Sequence, residues 1–198
     1  PGIKKAFIGS GIRYDMLFDK NGLITPEGKE YAREVILHHV SGRLKVAPEH
    51  TSDKVLSVMR KPSFDLFREF RILFEQINHE NGLNQQLIPY FISSHPASTP
   101  VDMAQLAIET KKLDFKLEQI QDFTPTPMTL STVIFYSGIN PYSGEKVYTP
   151  HSQEEKRDQR SFFFWYKQEY KNQIKKILVK ENRPDLAEKL IGPEKKGK

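Results

Sequence analysis

Apolar residues fall into short runs bounded by Gly, Pro, Ser and Asn, and between these runs they recur at helical spacing. IKKAFIG (3–9), GRLKVAP (42–48), QQLIPYFIS (85–93) and KLEQIQDF (116–123) read as strands. Helical patterns fill 26–39, 52–61 with 64–81, and 100–114. Strand alternating with helix implies parallel strands joined by right-handed crossovers, so the expected fold class is α/β. Two helix starts carry the same signature, because Thr25-Pro26 and Thr99-Pro100 each offer a hydroxyl at the N-cap and Pro at the first helical position. Over 64–81, Leu66, Phe67, Phe70, Leu73, Phe74 and Ile77 make one broad apolar stripe, enough to cover a sheet.

After Phe123 the pattern changes. TLSTVIFY and GEKVYTP are expected to pair as a hairpin around Asn140, Pro141 and Gly144. From Ser152 a charged helix is expected to run to about Glu181, followed by a short last helix closed by Gly192. Within it Phe162, Trp165 and Tyr166 read as a packing face rather than a nucleobase platform. The expected division is a barrel part over 1–123, an extension over 124–192 and a disordered tail at 193–198.

Composition narrows the function classes. With 37% hydrophobic and 28% charged residues the chain is neither disordered nor membrane-like. No apolar run approaches the roughly 20 residues that span a bilayer, and no signal peptide opens the sequence, so no membrane partner and a cytoplasmic location are expected. The net charge of +5 rests in part on the terminal EKKGK, and is weak support for a nucleic-acid partner. There is no cysteine, which excludes disulfides, thiolate zinc, a Cys nucleophile and a self-supplied iron–sulfur ligand set. The opening PGIKK, without Met, reads as part of a longer chain.

Candidate chemistry collects at strand ends. Parallel strands deliver the side chains at their carboxyl ends to a common crevice. LKVAPEHTSDKVLSVMRKP (44–62) ends its strand with Glu49 and His50, SSHP follows the next strand with Ser93, Ser94 and His95, and GSGIRYD supplies Ser10 and Arg13. Polar groups at three equivalent positions point to a shared pocket, against the alternative that each caps its own loop. Metal binding by His38, His39, His50 or His95 is not expected, since the first two end a helix where imidazole suits the dipole. GSG at 9–11 reads as a tight βα turn, because the glycine pattern of a dinucleotide fingerprint is missing.

GSGIRYDML, LKVAPEHTSDKVLSVMRKP, LIPYFISSHPAST with DM just beyond, and QIQDFTPTPMTLSTVIFYSGINP together resemble the C-terminal half of YgiQ-like radical SAM proteins. The resemblance covers roughly 3–150 in the right order. It implies the last four strands of a partial (β/α)6 barrel with a helical C-terminal extension. It also implies a CxxxCxxC loop elsewhere, whose 4Fe–4S cluster binds S-adenosylmethionine and cleaves it to a 5′-deoxyadenosyl radical. Lacking cysteine, this chain would hold neither cofactor alone and would be inert without the N-terminal half of the barrel. In related enzymes a strand-end Gln is followed twelve positions later by Arg, and these positions fall here on Glu49 and Lys61. The implied roles are a hydrogen bond to the ribose and a charge contact to the carboxylate of S-adenosylmethionine, with Arg60 as the alternative to Lys61. Ser93 and Ser94 would flank the adenine, while Ser10, Arg13, His50 and His95 would line the side of an unknown substrate. The rival readings are a non-catalytic RNA- or protein-binding module, and a phosphate-binding α/β enzyme using GSG and Arg13.

Overall fold

The computed structural model describes residues 2–115, 117 and 120–192. Among them run α1 (Pro26–Glu34), β1 (Arg43–Glu49), α2 (Asp53–Met59), α3 (Asp65–Glu80), β2 (Gln86–Ser93), α4 (Pro100–Lys112), β3 (Ile120–Asp122), α5 (Leu130–Ser137), α6 (Gln153–Ser161), α7 (Gln168–Lys180) and α8 (Pro184–Ile191). The strands form one sheet in the order β1-β2-β3, with Phe91 opposite Ile120 and Ser93 opposite Asp122 in parallel register. The fold is therefore α/β with a three-stranded parallel sheet, consistent with a partial β/α barrel. By packing the chain divides into two units, residues 1–49 with 62–90, and residues 50–61 with 91–198.

In the first unit, α3 turns its predicted stripe inward. Phe67 and Phe70 are fully buried, and Tyr14 stacks on Phe70 at 5.6 Å and meets Phe67 edge-on at 6.0 Å. Burying side chains of this size is worth about 1.5–3 kcal/mol each. Thr25 caps α1 as expected, accepting from the Gly28 N–H at 2.9 Å. A β-carbon at Gly28 would sit 2.3 Å from the Leu17 carbonyl oxygen, so only glycine lets α1 approach the short helical turn Tyr14–Leu17. After Glu34 the helix widens into a π turn, Val35–His39, in which His38 and His39 lie 3.8 and 3.7 Å from the Glu34 carboxylate.

The expected strand over 3–9 does not form. Ile3 is 90% exposed and Phe7 52%, and the segment is anchored by the Ile8 N–H on the His39 carbonyl at 2.9 Å. Its alternation of apolar and polar residues suits a strand, but a strand exists only through ladder partners, and 3–9 finds none among the described residues. The chain first meets the sheet at Ile12, in a single parallel bridge to Val46.

In the second unit α4, α7 and α8 share a core that includes Met103, Leu106, Ile174, Leu178 and Leu190. The Lys111 ammonium donates to the carbonyls of Lys189 at 3.2 Å and Leu190 at 2.8 Å, closing the end of α8 with charge of the favourable sign. Two expectations fail here. TLSTVIFY is helix, not hairpin, because Thr129 caps it by accepting from the Thr132 N–H and Gly138 ends it at φ 66°. What remains of the hairpin is one antiparallel bridge, Ile139 to Lys146, around Gly144. The long charged helix is also broken, by a tight turn at Phe162–Phe164 before α7 begins. The tight turn itself is packed inward, with Phe162 and Phe163 both buried. The tail 193–198 lies outside the described residues, as do 116, 118 and 119 at the start of the last predicted strand.

Candidate functional site at the end of the second strand

β2 alternates buried and half-buried residues up to Ser93, and then every residue from Ser93 to Ser98 is buried. A buried loop must find partners for its backbone groups within the protein. Gln159, fully buried on α6, supplies most of them. Its amide oxygen accepts from the Ser94 N–H at 2.8 Å and the Ser98 hydroxyl at 3.2 Å, and its amide nitrogen donates to the Ser98 carbonyl at 2.6 Å. The Ala97 N–H donates to the Tyr148 carbonyl and the Phe123 N–H to the Ser93 carbonyl, both at 2.8 Å. Ser94 and Ala97 take left-handed backbone at φ 63° and 74°, a strain that such a network can hold in place.

Both buried histidines belong to this network, and their tautomers follow from their partners. His50 accepts from the Ser52 N–H at Nδ1 (3.0 Å), so its proton is on Nε2 and is directed at the Ser98 hydroxyl, 3.3 Å away. His95 must donate from Nδ1 to the Pro96 carbonyl (2.8 Å), so Nε2 accepts from the Ser131 hydroxyl at 2.9 Å. Burial pushes both imidazoles down to about 4; for His50 the Asp102 carboxylate opposes this and His95 adds to it. Neutral histidines here bind and orient rather than carry charge. Asp102 ties the loop to α2 by accepting from the Ser52 hydroxyl at 2.9 Å while closing the capping box of α4. Ser93 donates to Asp122 on β3, and Asp122 also pairs with Arg160 at 2.8 Å.

Two buried side-chain polar atoms lack a hydrogen-bond partner among the described residues, Gln85 Oε1 in the first unit and the Ser94 hydroxyl in this loop. Ser94 is fully buried. Leaving such a group unmatched costs about 1–3 kcal/mol.

The residues singled out in the sequence fall in different places. Ser93, Ser94, His95 and His50 lie together in the second unit, in or against the 93–98 loop. Arg60 belongs to the same unit, ends α2 in left-handed conformation, and stacks its guanidinium over Tyr142 at 4.9 Å; Lys61 follows it. Glu49, Ser10 and Arg13 belong to the first unit. Arg13 donates to Asp15 from both Nε and Nη2, so its charge is already matched. Among the described residues no group of three histidine or carboxylate side chains is placed to hold a metal ion. The sequence reading missed Gln159, Ser98 and Ser131. No local signal marks Gln159, whose role depends on partners more than sixty positions away, although the Ser152/Glu155 capping box that begins α6 is legible in SQEE.

An α/β chain with a parallel sheet and a buried polar loop at one strand end is thus the class that geometry defines. Residues 118–197 match the family described as domain of unknown function (DUF3362). Nearly the whole chain is similar to curated proteins named UPF0313 protein. Identity is 58% over 198 residues with the protein of Bacteroides thetaiotaomicron, which covers 99% of this chain and 32% of that protein. It is 58% over 193 residues with that of Porphyromonas gingivalis (96% and 30%). The protein of Methanocella arvoryzae is 45% identical over 186 residues (94% and 30%). The chain spans about a third of the length of these relatives. Among the described residues no helix is long and apolar enough to cross a membrane.

Proposed function

We propose that this chain is the part of a cytosolic radical SAM enzyme that faces S-adenosylmethionine and the substrate, the remainder lying in a longer polypeptide. Three observations support the reading: the motif resemblance, the similarity to proteins about three times as long, and the strand-end loop with its unmatched hydroxyl. The last carries most weight, because a fully buried, strained serine without a partner fits a place where a ligand's polar group docks.

The donor set limits what the chain can do. Without cysteine it does not fit the 4Fe–4S cluster, and no step through the cluster is assigned to its residues. S-adenosylmethionine, when bound at such a cluster, supplies a radical able to abstract hydrogen from a substrate. Within the second unit, the residues that would hold it are Lys61 or Arg60, Ser93 and Ser94. Since Ser93 already donates to Asp122, Ser94 is the hydroxyl best suited to a new hydrogen bond. His50 and His95, neutral and fixed in tautomer, hold the loop on which Ser94 sits.

Calorimetric titration of S-adenosylmethionine into the longer polypeptide with its cluster loaded is the test. Ser94→Ala and Lys61→Ala should each weaken binding about tenfold, one lost hydrogen bond or charge contact apiece. Wild-type affinity in both would overturn the assignment.

A further inference from the structure

The segment after β3 shows its apolar side to solvent. Six of the thirteen large apolar residues exposed among the described residues fall between 128 and 148: Met128 (103%), Val133, Tyr136 (74%), Ile139, Tyr142 (75%) and Tyr148. They are not a loose tail. α5 is anchored by buried Ile134 and Phe135, and the turn beyond it is tied down by the Ile139–Lys146 bridge and by the Val147 N–H on the Gly138 carbonyl at 2.8 Å.

α5 reads LSTVIFYS, apolar nearly all round. Such a helix is normally covered on every side, yet Val133 and Tyr136, one turn apart, stand open. The surrounding chemistry says what kind of cover fits. Of the 29 residues 123–151 only Glu145 and Lys146 are charged, whereas charged residues make up 28% of the whole chain. Depletion of charge with enrichment in Tyr and Met is the composition of a protein–protein interface core. A phosphate backbone would call for an excess of free cations; within the segment Lys146 is offset by Glu145, and the cations that reach it from outside, Arg60 over Tyr142 and Lys156 over Phe135, are stacked on its rings.

We infer that α5 and the 138–148 turn form a docking face for another part of the same polypeptide, namely the two-thirds that the relatives carry beyond the matched region. A cover joined in the same chain is present at high effective concentration, which lets an apolar face this broad persist without aggregation. The inference shares the longer polypeptide with the proposed function and does not depend on the cofactor.

Amide hydrogen exchange should be compared between this chain and the intact Bacteroides thetaiotaomicron relative. In the intact protein, peptides matched to 128–148 should exchange at least tenfold more slowly than in this chain. Lysine placed at the positions matched to Val133 and Tyr136 should lower the melting temperature of the intact relative, while V133K and Y136K leave that of this chain unchanged. Equal exchange in the two proteins would overturn the inference, as would equal tolerance of lysine. So would protection that rises with the concentration of this chain alone, which would make a second copy the occupant. S-adenosylmethionine binding by the intact relative, measured alongside, separates the two proposals: protection without binding would sink the cofactor reading alone, and binding without protection would sink this one alone.

Discussion

Stability of the second unit should collapse in mild acid, because two buried histidines must stay neutral for its loop to hold. His50 and His95 have folded values of about 4 against an ordinary 6.5. A histidine whose folded value lies below its unfolded value is protonated first in the unfolded chain. Its contribution is therefore complete above pH 6.5 and is lost progressively as the pH falls towards 4. The slope approaches about 1.4 kcal/mol per pH unit per histidine only below 6.5, so the pair should remove about 3 kcal/mol between pH 6.5 and 5. That is a large share of the 5–15 kcal/mol typical of a domain. Ordinary carboxylates titrate mostly below this window, near pH 4, which leaves it to the histidines. Trp165, the single tryptophan, lies in the same unit and reports its unfolding by fluorescence. Urea titrations at pH 7, 6.5, 6, 5.5 and 5 would give the slope, and His50→Gln or His95→Gln should each cut it to about half. A flat profile between pH 6.5 and 5, or an undiminished slope in both variants, would refute the reasoning.

Other outcomes can be read from single contacts. Gln159→Met should destabilise the second unit by about 2–4 kcal/mol, since the Ser94 N–H and the Ser98 carbonyl are left buried without partners; Trp165 fluorescence in urea measures it. Gly28→Ala should cost the first unit about 1–3 kcal/mol through collision with the Leu17 carbonyl, seen as loss of circular dichroism at lower urea without a shift of the Trp165 transition. Lys111→Met should fray α8 at a cost of about 1 kcal/mol and alter Trp165 emission, because the ammonium also lies 5.2 Å over the indole. Ser94→Ala should leave the stability of this chain within about 1 kcal/mol of wild type, since no hydrogen bond of its hydroxyl is lost; a larger loss in the same urea assay would mean that the hydroxyl has a partner.

What could be read from the sequence was what local chemistry decides. Thr25 and Thr99 with their following prolines marked two helix starts, and the 64–81 stripe marked the buried face of α3. Strand polarity singled out Ser93, Ser94, His95 and His50, which lie in or against one loop of the second unit, and equally Ser10, Arg13 and Glu49, which belong to the first. The errors came where a distant partner decides. Residues 3–9 alternate like a strand, but alternation does not supply a ladder. TLSTVIFY is rich in β-branched and aromatic residues, which favour a strand, yet the Thr129 cap and Gly138 terminate it as a helix. Gln159 was invisible because nothing near it in sequence needs it; its partners are the bare backbone groups of a loop sixty-odd positions earlier.

That distance also sets the order in which the protein can be assembled during translation. A ribosome makes Gln159 65 positions after Ser94, so the nascent strand end waits through the synthesis of α4, β3 and α5 with its amide donors unclaimed. A chain cut short anywhere between Ser98 and α6 would carry every serine and histidine of the loop and still lack the group that folds it. Nonsense and frameshift lesions far downstream should therefore be as damaging to this strand end as changes within it.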